Sequence, residues 1–79
     1  MKITKGEYCQ FSLRTRVQLL REYGQLEFER IFEHTAVRIF ALHDFYVEVV
    51  YNRLKEEVER AEPVSFLNMM HIYEDNSGL

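Results

Sequence analysis

The stretch Ala36–Tyr51, AVRIFALHDFYVEVVY, decides how this chain folds. Two apolar runs, Ala36–Leu42 and Phe45–Tyr51, flank the dipeptide His43-Asp44. Both runs are rich in β-branched and aromatic side chains. Such side chains lose rotamer freedom in a helix and pack well on a pleated sheet. A β-hairpin with a two-residue loop would set Leu42 opposite Phe45, Phe40 opposite Val47, Arg38 opposite Val49 and Ala36 opposite Tyr51. These side chains share one face, because side chains alternate along a strand. The other face carries Val37, Ile39, Ala41, Tyr46, Glu48 and Val50. His-Asp is not a pair that primed turns favour, so a loop of about three to five residues is the alternative.

Only Arg38 interrupts the first face, and only Glu48 is charged on the second. A sheet with one wet side alternates more cleanly than this. Both faces are therefore expected to be covered.

A chain of 79 residues makes one domain, 1–79, near the lower size limit for self-sufficient folding. Its hydrophobic content of 47% argues for a packed core rather than disorder. The single cysteine, Cys9, excludes an intrachain disulfide and fits a reducing compartment. The opening MKITKGEYCQ lacks the apolar core of a signal peptide, and no stretch approaches the ~20 apolar residues of a membrane span. These features lead to the expectation of a soluble, cytoplasmic protein with no membrane partner.

The net charge of −3 is unevenly spread. Residues 1–23 hold five basic and two acidic side chains; residues 24–79 hold five basic and eleven acidic. Solvated faces ordinarily carry such charge, and the two parts attract each other on folding. The sharper reading is a basic site for an anion, or an acidic one for a basic partner.

Residues 1–10 read as a loose lead-in. Phe11–Gly24 reads as a helix capped by Ser12, with Leu13, Val17, Leu20, Leu19 and Tyr23 making its apolar stripe. Gly24 is expected in the left-handed conformation that ends many helices. Arg14, Gln18 and Arg21 point away from the stripe. Arg16 lies at its edge, within reach of a carboxylate such as Glu48. Gln25–Glu33 alternates Leu26, Phe28, Arg30 and Phe32 with Glu27, Glu29, Ile31 and Glu33, as a half-exposed strand does. The four-residue spacing of Phe28 and Phe32 also suits a helix. Residues 52–56 read as a charged turn and Glu57–Glu62 as a short edge strand closed by Pro63, with a helix as the competitor. From Ser65 to Glu74 a second helix is expected, with Phe66, Met69, Met70 and Tyr73 as its apolar face and Asp75–Leu79 as a frayed tail. The fold class is thus α+β: a four-stranded antiparallel meander flanked by an N-terminal and a C-terminal helix.

Gly24 and Arg30, then Val37-Arg38-Ile39-Phe40 and Phe45-Tyr46-Val47-Glu48-Val49-Val50-Tyr51, resemble short uncharacterised α+β proteins of Bacteroidetes bacteria over roughly residues 13–62. The resemblance implies a strand at Val58 and Ala61. It implies no activity.

Chemistry-bearing groups are sparse. His43 and Asp44 at the hairpin tip, with Glu48 nearby, are the candidates for acid–base work, but adjacent turn residues do not point at each other. His34, His71 and Cys9 have no companions at zinc-ligand spacing, so no metal and no cofactor is expected. Arg14, Arg16 and Arg21 give the first helix a basic side suited to a small anion. Nucleic acid needs a larger basic surface, and the acidic remainder would repel it. If both helices covered one face of the sheet, Val37, Ile39, Tyr46 and Val50 would form a patch too large to leave wet. One helix on each face would instead give a self-sufficient monomer. The sequence therefore leads to the expectation of a non-catalytic interaction module, a homodimer or an accessory subunit. An anion or nucleic-acid binder is the alternative, and an enzyme built on His43 and Asp44 stands third.

Overall fold

The computed structural model describes residues 2–65. A single helical turn, α1 (Lys5–Tyr8), precedes the main helix, α2 (Leu13–Tyr23). Four strands follow: β1 (Gln25–Phe32), β2 (Thr35–Leu42), β3 (Phe45–Asn52) and β4 (Glu57–Val64). They form one antiparallel sheet in the order β1-β2-β3-β4. The chain is therefore α+β with a meander sheet. Apart from Ser65, the helix expected over Ser65–Glu74 and the tail after it lie outside the described residues.

The β2–β3 hairpin has the tight loop and the register expected of it. Leu42 pairs with Phe45, Phe40 with Val47, Arg38 with Val49 and Ala36 with Tyr51. His43 makes the loop possible by taking a left-handed backbone, φ 57°. Glu33 does the same between β1 and β2, at φ 53°. Neither is the glycine or asparagine that such positions favour.

Helix α2 begins where Ser12 accepts a hydrogen bond from the Thr15 amide, 3.3 Å. It ends at Gly24, whose amide reaches the Leu20 carbonyl at 2.9 Å. Gly24 is extended (φ −80°, ψ 154°) rather than left-handed. Space is what requires glycine there: a Cβ would sit 2.6 Å from the Leu20 carbonyl oxygen.

The helix lies on the first face of the sheet. Leu20, Leu42, Phe45, Val47, Val49 and Ala61 are buried together, with Val17, Leu19 and Phe40 packed against them. Leu13 and Tyr23, at the two ends of the expected stripe, remain exposed.

The first ten residues are not a loose lead-in. Thr4 and Glu7 form a reciprocal capping box around α1. Ile3 and Tyr8 are buried in the core that α2 shares with the sheet. The Tyr8 ring stands edge-on to Phe45, with centroids 5.6 Å apart.

Strand β1 departs from simple alternation. A bulge between Leu26 and Phe28 leaves Leu26 opposite Phe40 on the first face, while Phe28, opposite Ile39, lies on the second. One extra residue in a strand re-aims everything before it. Strand β4 runs on through Pro63 to Val64, two residues beyond the expected edge strand.

Candidate functional site

Two surfaces of the described residues stand out. The first is the outer edge of β1. No other described strand pairs there. Exposed apolar side chains sit along it: Leu26 at 49%, Ile31 at 50% and Phe32 at 47%. Ile31 and Leu26 face the helix side of the sheet, and Phe32 faces the other. The Arg30 guanidinium lies over the Phe32 ring, 5.3 Å from its centroid. Glu29 is turned inward to pair with Arg38 on β2. The edge is thus apolar.

The opposite edge, β4, is built differently. Glu57, Glu59, Arg60 and Glu62 are exposed along it. Its register shifts by a bulge opposite Val50 and Tyr51, and Pro63 contributes no amide. Charge, bulge and proline are the usual means of blocking an edge.

The second surface is the seam between α2 and the sheet. Arg14, Gln18 and Arg21 recur at helical spacing, so they share one side of α2. With Leu13, Val17 and Val58 they line an open groove of about 700 Å³. At Arg21 the groove meets a narrower crevice of about 180 Å³. Val17 and Leu20 of the helix and Phe40, Val49, Tyr51 and Val58 of the sheet make the crevice apolar. Arg21 and Arg38 complete its lining.

Neither a protein-family model nor any curated protein or solved structure matches the chain.

The residues singled out in the sequence divide. Arg14 and Arg21 come together along the groove. Arg16 does not join them. Its guanidinium donates to the carbonyls of Cys9 (2.8 Å), Phe11 (3.0 Å) and Ala61 (3.3 Å), and it stands 5.3 Å from the Tyr8 ring centroid. It therefore binds its own chain. Its suggested partner, Glu48, is on the second face and pairs with Arg60 at 3.3 Å.

Val37, Ile39, Tyr46 and Val50 do share the second face. Within a single chain, however, Ile39 is 0% and Val50 8% exposed, while Val37 and Tyr46 are half-buried. A second copy docked there would gain new contact mainly from the last two. The patch expected to need a partner is already largely dry.

At the hairpin tip the ionisable groups disperse. His43 packs beside the Tyr23 ring, with centroids 6.1 Å apart, and Asp44 pairs with Lys2 at 3.2 Å. Glu48 is engaged by Arg60. These three side chains do not converge on a shared point. Among the described residues no three His, Cys, Asp or Glu side chains gather to hold a metal, and no helix is long and apolar enough to cross a membrane.

Sequence reasoning missed Arg38 and Ile31. Arg38 is the lone charge on an otherwise apolar face, and that interruption was its signal. Ile31 left none, because in a strand that also suits a helix its side was ambiguous.

Proposed function

We propose that the chain is a non-catalytic interaction module that pairs with a second copy of itself along β1. One observation carries this reading: the two edges of the sheet differ, with exposed apolar side chains along β1, where no other described strand pairs, and charge and proline along β4. An apolar edge strand of eight residues is a template for another strand. Pairing β1 with β1 about a two-fold axis uses the apolar edge of both copies at once. It leaves only β4 edges outside, so the assembly closes as a dimer rather than growing into a filament. The result would be a continuous eight-stranded sheet. Head-to-tail pairing of β1 with β4 would meet Pro63 and the line of glutamates.

The partner surface of this reading is Leu26, Ile31 and Phe32, since Ile39 and Val50 are already buried within one chain. Sedimentation equilibrium at micromolar concentration tests it. A dimer is expected for the native chain, and a monomer for Ile31→Lys combined with Phe32→Lys. A native chain that stays monomeric throughout overturns the reading.

A further inference from the structure

We propose that the crevice between α2 and the sheet is a binding site for a small amphipathic carboxylate. The apolar tail lies against Val17, Leu20, Phe40 and Val49. The carboxylate meets Arg21, with Arg38 beside it.

Size and chemistry support this. The crevice is about 180 Å³. Apolar cavities of about 150 Å³ in other proteins take up benzene. A short acyl chain or a single ring fits this space, whereas a long lipid does not. The open groove outside shares Val17, Arg21 and Val58 with the crevice and so gives a way in.

The charges select the head group. Arg38 is held by Glu29, so it is positioned but already partly neutralised. Arg21 makes no ion pair with any described residue, and Arg14 is in the same position. Counting Arg14, Arg21 and Arg38 against Glu29, the seam carries a local charge of +2 on a chain whose net charge is −3. A compact monoanion is drawn to such a spot, while an extended polyanion is repelled by the rest of the surface. An arginine also suits a carboxylate geometrically, through two parallel hydrogen bonds. A neutral apolar ligand would leave the Arg21 guanidinium unused.

This site is separate from the β1 edge, and its test does not depend on dimerisation. Sodium hexanoate is titrated into the native chain and followed by amide chemical shifts. Shifts are expected at Val17, Leu20, Val49 and Val58. Hexanol, with the same tail and no charge, should bind at least fivefold more weakly, as should hexanoate to Arg21→Gln. Inorganic phosphate alone should leave the sheet amides unmoved. Equal binding of hexanol and hexanoate overturns the proposal. So does an unchanged affinity in Arg21→Gln, or the absence of shifts at these residues at millimolar hexanoate.

Discussion

The Tyr8 hydroxyl donates a hydrogen bond to the Ala61 carbonyl, 3.1 Å away across 53 residues of sequence. The same oxygen accepts a second bond from Arg16, at 3.3 Å. A carbonyl has two lone pairs, and here both are used within the protein. The contact fastens the turn before α2 to the last described strand. It explains why residues near the N-terminus belong to the core. Tyr8 is fully buried, and burial pushes its phenol up from 10.0 to about 12, against the opposing pull of the Arg16 guanidinium.

The first prediction concerns alkaline pH. Below the ordinary phenol value, Tyr8 is protonated in both the folded and unfolded chains. Above it the unfolded chain releases the proton while the folded chain keeps it until about 12. The folded state then binds more protons, so stability falls as pH rises from 10.0 towards 12. The loss attributable to this group is roughly 2–3 kcal/mol. Urea unfolding at pH 9 and pH 11.5 should show it. Tyr8→Phe should start about 1 kcal/mol less stable, having lost one hydrogen bond, and then decline less steeply.

Arg16 is expected to matter for stability. Its three bonds to carbonyls join the α1 turn, the start of α2 and β4. Arg16→Gln should cost about 2 kcal/mol, as loss of charge-assisted hydrogen bonds does. Arg16→Lys should not restore it, since an ammonium lacks the planar fork that spans these acceptors. An unchanged denaturation midpoint in either variant would contradict this.

Gly24→Ala should destabilise by about 1–3 kcal/mol through forced overlap. The backbone dihedrals there suit any residue, but the new Cβ would lie 2.6 Å from a carbonyl oxygen that cannot move without bending α2. Thermal unfolding distinguishes this from a harmless change.

The turn at Glu33 predicts an opposite sign. A glutamate at φ 53° carries a strain that glycine does not. Glu33→Gly should raise stability by about 0.5–1 kcal/mol, because part of the relief is lost to the freer unfolded chain. Its backbone carbonyl, which accepts from Arg53, is retained. A lowered melting temperature would refute the reading of the turn.

Two leucines test where the core lies. Leu42 is fully buried, while Leu54, in the turn between β3 and β4, is 69% exposed. Leu42→Ala should lose about 3 kcal/mol, and Leu54→Ala less than about 0.5 kcal/mol. Similar losses at both positions would mean that the core is elsewhere.

Much of the architecture could be read from residues alone. The β-branched and aromatic runs on either side of His43-Asp44 led to the hairpin and its pairing, and the charged run before Pro63 led to an edge strand. The candidate sites were less legible. Arg14 and Arg21 were visible from helical spacing, yet Arg38, which joins Arg21 at the crevice, comes from a strand distant in sequence. Arg16 read as an edge residue in reach of a carboxylate, and only the fold brought the Cys9, Phe11 and Ala61 carbonyls to it instead.

The sequence by itself pointed to the β2–β3 pairing and to which side chains share a face in those two strands. Both follow from local periodicity and a tight turn, which need no knowledge of the rest of the molecule. Tertiary structure decided what is covered. Ile39 and Tyr8 are dry and Ile31 is wet because burial depends on atoms brought in from elsewhere in the chain. The bulge in β1 likewise moved Leu26 to the other face, a one-residue slip that alternation of residue types could not reveal.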